Sequence, residues 1–267
     1  MITSKSNAQV KNLNLLQKKS KVRDEQGVFI IEGLRMFNEA KAAKLLVKTY
    51  ASETFYSEKL LEDKGYFADL DYEVISDSVF KDISETKTPQ GIMGIVKKPT
   101  YTLDEIFKVE NPFLLLLEDI RDPGNLGTII RSAEGAGVTG IVLNSSCVDM
   151  FNPKVIRSTM GSIFRVPFYQ SLDFIKSLEE VKRHGILIYA AHLEGKIYDA
   201  ENGFIRSCGF LIGNEANGLS DTISDMADAK IKIPMEGKVE SLNAAIAASI
   251  LMYEVARQRR NHFMELK

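Results

Sequence analysis

The sequence predicts an α/β protein in which a small α/β region precedes a larger one built on a mostly parallel sheet. Short apolar runs alternate with helix-length amphipathic segments along the chain, as when each strand of a parallel sheet is followed by a crossover helix. The run Phe113–Leu117 is apolar at every position, which indicates a strand buried on both faces. The larger region therefore has the pattern of an open parallel sheet covered by helices.

A domain boundary is predicted near residue 100. Prolines stand near both ends of the polar stretch 97–112, and such stretches commonly connect domains. We therefore expect a first domain at 1–97, a linker at 98–110 and a second domain at 111–267. For the first domain the residue pattern predicts a basic helix at 6–20, a strand at 28–32, a helix at 33–43, and strands at 46–51, 72–75 and 92–96.

The second domain alternates strands and helices more regularly. A glycine-rich turn follows its first strand, and Asp122 or Asn125 in that turn suits the start of a helix. The residue pattern predicts strands at 113–117, 140–143, 186–191, 209–212 and 229–233, and helices at 126–134, 153–160, 172–183 and 242–258.

Composition places the chain among soluble globular proteins. Of its 267 residues 45% are apolar and 26% charged, and the formal net charge of −2 gives no general reason to expect a nucleic-acid or membrane partner. Two distant cysteines, Cys147 and Cys208, provide neither a disulfide framework nor a four-ligand metal site, so we expect a reducing cytoplasm. The most apolar stretch, Ala244–Tyr253, is about half the length of a membrane span.

Charge is distributed unevenly along the first domain. Residues 1–23 carry six lysines and arginines and no acid, whereas residues 51–85 carry ten acids against three lysines. A basic segment of this kind can contact phosphates, although charge alone favours a solvated helix face as its explanation.

Residues 135–140 read GAGVTG, which has the spacing of the dinucleotide-binding fingerprint. That fingerprint requires the order strand, glycine turn, helix, because the glycines bring backbone N–H groups to a pyrophosphate at a helix N-terminus. Here the predicted helix precedes the glycines and the strand follows them. We therefore expect a helix C-cap at this position and reject an NAD-dependent oxidoreductase.

Three stretches place polar residues at the ends of predicted strands, where ligands bind in open parallel sheets. They are 117–137, 209–220 and 231–258. Singly, each has a plain structural explanation: Arg131 as a solvent-facing side chain, Glu215 as a loop residue, and 242–258 as a core helix capped by Ser241.

Together and in this order, the three stretches resemble the motifs of the SpoU/TrmH family of RNA ribose 2′-O-methyltransferases, within the SPOUT class. The matching residues are N-x-G-x-x-x-R at 125–131, I-G-N-E-x-x-G-L at 212–219 and I-P-M-x-G-x-x-x-S-L-N at 233–243. Residues 152–167 are similar to the segment between the first two motifs. Residues 3–11 and 29–33 resemble the RNA substrate-binding domain often joined to this catalytic domain.

The resemblance implies that residues 111–267 form a SPOUT domain with a deep trefoil knot, and that the protein is a homodimer with its last helix at the interface. It also implies S-adenosylmethionine as the cofactor. The residues that this assigns to cofactor binding are Leu193, Ile212, Gly213, Asn214, Ile233, Met235, Ser241 and Leu242.

The implied chemistry is an in-line displacement in which a ribose 2′-hydroxyl attacks a sulfonium methyl group. The residues that the resemblance assigns to catalysis are Arg131, Asn125, Glu215, Asn243 and Ser241. Because a guanidinium stays protonated in proteins, we expect Arg131 to hold the adjoining phosphate and stabilise the developing alkoxide rather than act as the base. No metal is required.

The basic segment acquires a role from the same resemblance, because the family's N-terminal domain grips structured RNA. The expected phosphate contacts are Lys5, Lys11, Lys18, Lys19, Arg23 and Arg35, extended by Arg157 and Arg165. Such a domain favours ribosomal RNA, with 23S as the expected substrate. Two alternatives stay open, a transfer RNA substrate and a non-catalytic RNA-binding or ribosome assembly factor.

Overall fold

Strands and helices alternate along the whole described chain, which covers residues 1–198 and 203–265 of a computed structural model. The chain divides into two units, and each combines two segments. The first unit consists of Met1–Pro99 and Asp149–Phe164, and the second of Thr100–Val148 and Arg165–Lys267.

The helices are α1 (Ala8–Lys18), α2 (Ser20–Gln26), α3 (Leu34–Ala42), α4 (Glu53–Glu62), α5 (Asp77–Ile83), α6 (Leu103–Phe107), α7 (Pro123–Ala136), α8 (Pro153–Thr159), α9 (Phe174–Arg183), α10 (Asp221–Ser224) and α11 (Ala244–Glu265). The strands are β1 (Val28–Glu32), β2 (Leu46–Ser52), β3 (Tyr72–Ile75), β4 (Ile92–Lys97), β5 (Phe113–Leu117), β6 (Gly140–Asn144), β7 (Phe168–Ser171), β8 (Leu187–Ile197), β9 (Cys208–Ile212) and β10 (Ala229–Lys232).

The first unit is built on a four-stranded sheet with the order β1-β4-β2-β3. Strand β4 is antiparallel to both of its neighbours, whereas β2 and β3 are parallel. Helices α1 and α5 cover one face, where Leu13, Leu16 and Phe80 are buried in one core. The basic helix predicted at 6–20 corresponds to α1, which ends at Lys18 because the backbone is extended at Lys19. A second helix, α2, begins at Ser20, where the predicted range ends.

The segment 149–164 belongs to the first unit, although the sequence predicts it within the second domain. Its helix α8 buries Val155 and Ile156 and packs on β1. The Phe151 ring lies 4.9 Å from the Phe29 ring, centroid to centroid. Apolar packing between parts of the chain so far apart in sequence leaves no mark in local periodicity.

The second unit is built on a six-stranded sheet with the order β10-β8-β9-β5-β6-β7. Every neighbouring pair is parallel, as predicted. All five residues of the central strand β5 are buried. Consequently the carboxyl ends of all six strands lie along one edge of the sheet, and the loops that carry the three motifs start there.

The GAGVTG stretch ends helix α7 and leads into β6, which confirms the predicted order. Gly137 is the C-cap, with φ of 80°, and its N–H donates to the carbonyls of Ala133 and Glu134. Glycine favours this left-handed conformation because it has no Cβ atom. This stretch therefore offers no helix N-terminus to a pyrophosphate.

Several short elements were not predicted, namely α4, α5, α6, α10 and β7. They are brief, and their patterns resemble those of loops. No helix in the described ranges has both the length and the apolar character needed to cross a bilayer. The deep trefoil knot stays a prediction.

Candidate active site

The three motifs meet at the carboxyl edge of the parallel sheet. The first motif lies in α7, which follows β5, and the second forms the turn after β9, the strand beside β5. The third motif follows β10 and ends where α11 begins. Asp122 starts α7 by accepting a hydrogen bond from the N–H of Asn125 at 2.8 Å, which fixes the first motif relative to β5.

Glu215 is the centre of a hydrogen-bond network at this edge. Its Oε1 accepts from Asn125 Nδ2 at 2.9 Å and from the N–H of Asp122 at 3.3 Å, and its Oε2 accepts from the N–H of Arg121 at 3.5 Å. The carboxylate thus lies against the first turn of α7, where the helix dipole favours a negative charge.

Asn243 extends the network to the third motif. Its Nδ2 donates to Asn125 Oδ1 at 2.9 Å, so Asn125 accepts from Asn243 and donates to Glu215. One side chain from each motif therefore lies in a single hydrogen-bonded row, Asn243–Asn125–Glu215. Each amide has a set orientation in this row because both of its ends are occupied.

Asn243 also caps α11, so the prediction that Ser241 is the N-cap is wrong. Asn243 Oδ1 accepts from the N–H groups of Ala245 and Ile246, at 2.9 and 3.3 Å. Asparagine and serine cap helices about equally well, and here the helix begins two residues later than the serine would require. Ser241 is exposed in the preceding loop.

Arg131 lies outside this network. It is exposed on α7, and within the described residues its guanidinium makes no hydrogen bond or ion pair. Arg131 is six residues after Asn125, a spacing that places the two on different faces of the helix. The guanidinium is therefore available to a group that approaches from solvent.

The residues expected to bind the cofactor lie in the bulged part of β8, at the end of β9 and in the loops that follow β9 and β10, which are three adjacent strands. Lys230 pairs with Ala190 whereas Ile231 pairs with Lys196, so residues 191–195 of β8 bulge out of the sheet. This bulge presents Leu193, which is 52% exposed. The side chains of Ile233, Met235 and Leu242 are partly buried in the loop before α11.

Glycines allow these loops to approach each other closely. A Cβ atom at Gly213 would lie 2.2 Å from the carbonyl carbon of Gly218, and one at Gly195 would lie 2.6 Å from the backbone nitrogen of Ile231. Backbone N–H and C=O groups beside apolar side chains are suited to an adenine ring, which has polar edges and apolar faces. The local structure therefore fits an adenosine-containing cofactor.

Ile212 and Asn214 hold the loop itself. Ile212 is 2% exposed, and its carbonyl accepts from the N–H of Glu118 at 2.9 Å. Asn214 Nδ2 donates to the Asp119 carbonyl at 2.9 Å, and its Oδ1 accepts from the N–H of Ala216 at 2.9 Å. The amide of Asn214 is therefore engaged with protein on both sides.

The basic residues predicted to bind RNA differ in their surroundings. Exposed side chains without an ion pair in the described chain are Lys11, Lys18, Lys19 and Arg35. Each of three others is paired with an acid of its own unit: Lys5 with Asp82 at 2.5 Å, Arg157 with Glu85 at 2.6 Å, and Arg165 with Glu134.

Arg23 is not a surface residue, so its prediction as an RNA contact is wrong. Its side chain is 4% exposed and ion-paired with Asp149. Its Nη1 also donates to the carbonyls of Leu16 and Gln17, at 2.6 and 3.1 Å. The guanidinium ties α1 to segment 149–164 within the first unit. Charge patterning along the sequence cannot distinguish such an arginine from an exposed one.

Sequence reasoning missed Asp119, which lies two residues after β5, and Asn144, which is the last residue of β6. Asn144 Nδ2 donates to Asp119 Oδ1 at 2.6 Å. Hydrogen bonds from Asn144 and Arg121 hold the pKa of the Asp119 carboxyl below its usual value. Their positions at the carboxyl ends of buried strands were the available signal. No cluster of metal-ligating side chains occurs in the described part of the chain.

Comparison with protein-family profiles gives two matches. The SpoU rRNA Methylase family matches residues 112–253, and the MRM3-like substrate binding domain matches residues 7–94. The chain is also 32% identical over 254 residues to the 23S rRNA (guanosine(2553)-2′-O)-methyltransferase RlmP of Bacillus subtilis, an alignment covering 95% of this chain and 98% of that protein.

Two solved structures that contain AdoMet (S-adenosylmethionine) are similar over nearly the whole chain. The SpoU methyltransferase AviRb from Streptomyces viridochromogenes, in complex with AdoMet, has a TM-score of 0.85 at 26% identity, covering 95% of this chain and 98% of its own. The AdoMet-bound rRNA methyltransferase from Sinorhizobium meliloti has a TM-score of 0.81 at 30% identity, covering 96% and 97%.

Proposed function

The chain belongs to the SpoU rRNA methylase family, and we propose that it transfers a methyl group from S-adenosylmethionine to a ribose 2′-hydroxyl of 23S ribosomal RNA. The observation that carries this proposal is the hydrogen-bonded row Asn243–Asn125–Glu215. It unites one residue from each of the three motifs at the carboxyl edge of the sheet. A protein that only bound RNA would not need this arrangement beside loops whose backbone groups and apolar side chains suit an adenosine-containing cofactor.

Leu193, Ile233 and Leu242 would hold the adenosine part of the cofactor between apolar side chains, with Met235 beside them. The loop at Gly213 would contribute backbone groups. S-adenosylmethionine would supply an electrophilic methyl group, to which the ribose oxygen would bond as the carbon–sulfur bond breaks in line and the thioether S-adenosylhomocysteine leaves. The protein's contribution to rate is then largely the positioning of two bound reactants.

Arg131 serves the RNA rather than the network in this proposal. Its guanidinium stays protonated, so it binds a backbone phosphate and stabilises the negative charge that develops on the ribose oxygen. Its exposure supports this role, and so does the fact that no residue in 1–198 or 203–265 forms an ion pair with it that RNA would have to displace. Asn125 and Asn243 orient Glu215. Ser241 lies in the loop that leads to Asn243.

The first unit binds the RNA, and the second carries out the reaction. This division of labour is the one proposed for the predicted domains 1–97 and 111–267 with their linker 98–110, except that segment 149–164 belongs to the first unit. Exposed lysines on α1 and beside it, together with Arg35 on α3, supply phosphate contacts that position the RNA without reading its sequence. Arg157 and Arg165 extend this set, although each must exchange an acidic partner for a phosphate.

A second copy of the chain completes the proposed assembly. Ile246 and Tyr253 on α11 are 49% and 50% exposed, and half-exposed apolar residues on one helix are typical of a surface that a partner covers. The two free cysteines suit a reducing compartment, so we place the enzyme in the cytoplasm.

Transfer of radiolabelled methyl from S-adenosylmethionine to undermethylated RNA tests the function. Ribosomal and transfer RNA pools are compared using the native enzyme, Arg131→Ala and the surface control Arg183→Ala. We expect label in ribosomal RNA with the native and Arg183→Ala proteins and none with Arg131→Ala. If only transfer RNA were labelled, the reaction would stand but its substrate would be transfer RNA. If the protein bound RNA without labelling it, a non-catalytic assembly factor would be favoured.

A further inference from the structure

Asp119, two residues after the end of β5, has an unusual backbone conformation. Its φ angle is 54°, in the left-handed region that non-glycine residues rarely adopt. Aspartate is one of the few residues that tolerate this region, because its short side chain can bond locally. Strained residues that persist next to a functional site are commonly held there by several interactions.

Two neighbouring side chains hold Asp119. The Asn144 amide bonds it twice: Nδ2 donates to Asp119 Oδ1 at 2.6 Å, and Oδ1 accepts from the Asp119 N–H at 3.1 Å. Arg121 Nη2 donates to Asp119 Oδ2 at 2.9 Å. The end of β6 is therefore fastened to the loop that leaves β5. The lowered pKa of Asp119 agrees with these contacts, since each donor favours the charged carboxylate.

The same loop contacts the second motif at two consecutive residues. The Asp119 carbonyl accepts from Asn214 Nδ2 at 2.9 Å, and the N–H groups of Arg121 and Asp122 donate to Glu215 at 3.5 and 3.3 Å. A change in the backbone angle at Asp119 would swing both of these N–H groups. The direction of the Glu215 carboxylate therefore depends on a residue that does not touch it with its own side chain.

We propose that Asp119 and Asn144 form a positioning pair that sets the 118–122 loop beneath Glu215 and thereby aligns the catalytic row. This inference rests on the proposed function and assigns a role to two residues outside the three motifs. Neither residue handles substrate in this proposal. Each acts through the loop.

Methyl transfer by Asp119→Ala, Asp119→Asn and Asn144→Ala tests the pair. Asp173→Ala is the matched control, because Asp173 caps α9 through a 3.1 Å bond from the Lys176 N–H in the same unit. We expect Asp119→Ala and Asn144→Ala to lower kcat about 10-fold while KM for S-adenosylmethionine changes less than kcat. Asp119→Asn keeps an acceptor for Asn144 and recovers most of the rate. Asp173→Ala lowers Tm and leaves kcat unchanged.

A double variant, Asp119→Ala with Glu215→Gln, distinguishes a positioning role of Asp119 from a general loss of structure. If Asp119 acts through Glu215, adding Asp119→Ala to Glu215→Gln lowers kcat by less than about 2-fold, since the dependent step is already lost. A full additional 10-fold loss would overturn the proposal. So would activity losses in all variants that simply follow their loss of Tm.

Hydrogen exchange supplies a readout that needs no activity, so failure of the proposed function can be told apart from failure of the pair. In Asp119→Ala and Asn144→Ala, amides in 118–122 and in 213–217 should exchange faster together. In Asp173→Ala both segments should keep their protection. Unchanged exchange at 213–217 would overturn the proposal whether or not the native protein methylates RNA.

Discussion

Glu215 illustrates how one side chain can join distant parts of a sequence. It accepts two backbone N–H groups from the start of α7 and one side-chain amide, and it lies about ninety residues away from all of them. A carboxylate with three donors is oriented much more firmly than one in solvent. Its orientation matters because enzyme rates depend on placing groups to within about 1 Å.

Replacement of Glu215 by glutamine tests this at the residue scale. The glutamine amide has only one accepting oxygen, and its NH2 group faces a donor that the carboxylate would have accepted from. The row therefore loses its fixed orientation. We expect kcat to fall about 100-fold with a smaller change in the Kd of S-adenosylmethionine, measured by single-turnover assays and calorimetry. An exposed loop change, Glu236→Gln, serves as the control. If Glu215→Gln kept the native rate, Glu215 would have no role in the mechanism.

For Arg23 we expect an effect on the stability of the fold rather than on RNA binding. Arg23→Met removes a buried guanidinium, which leaves Asp149 without its ion pair and the Leu16 carbonyl without a donor. We expect the free energy of unfolding in urea to fall by about 3 kcal/mol. Lys19→Met, an exposed neighbour, should change it by less than about 0.5 kcal/mol and weaken RNA binding instead. Equal stability of the two variants would contradict the buried role.

At the scale of elements, the sequence predicted the parallel alternation from β5 to α11 apart from the short β7 and α10. Apolar runs and glycine or proline boundaries carry that information locally. The start of α11 was misplaced because Ser241 and Asn243 are both good caps, and only the contact with Asn125 favours the second. The bulge at 191–195 depends on pairing with β10, which no local pattern shows.

Gly137 offers a direct test of an element boundary. It ends α7 at φ of 80°, and a Cβ atom there would meet no other atom within 4 Å. Gly137→Ala therefore changes only the backbone energy, and we expect a loss of about 1 kcal/mol in thermal unfolding. Gly237→Ala, which also meets nothing within 4 Å and has no left-handed φ, is the control. A neutral Gly137→Ala would show that α7 can end elsewhere.

At the scale of the molecule, more of the candidate site than of the division into domains could be predicted from the sequence. The resemblance assigned Asn125, Glu215 and Asn243 to one site, and the structure joins them directly by hydrogen bonds. Asp119 and Asn144 escaped notice because their pairing depends on strand order. The burial of Arg23 and the placement of 149–164 in the first unit depend on contacts between distant segments.

The divided first unit has a consequence for truncation. A fragment of residues 100–267 retains segment 149–164 but lacks the rest of its unit, so Phe151, Val155 and Ile156 lose their buried surroundings. We expect this fragment to bind a hydrophobic dye and to elute as aggregates in size-exclusion chromatography. The same fragment with Val155→Ser and Ile156→Ser should aggregate less. A dye-free, cooperatively unfolding fragment would contradict the observed division.

The measurement that tests the account most directly is the chemical position of the transferred methyl group. Undermethylated 23S ribosomal RNA is incubated with S-adenosylmethionine and the native enzyme, digested to nucleosides and analysed by mass spectrometry, with Glu215→Gln in parallel. We expect one nucleoside whose additional methyl stays with the ribose fragment, and its near absence with Glu215→Gln. A methyl group on a base, or equal product from the variant, would contradict the proposed reaction and the role of the Asn243–Asn125–Glu215 row.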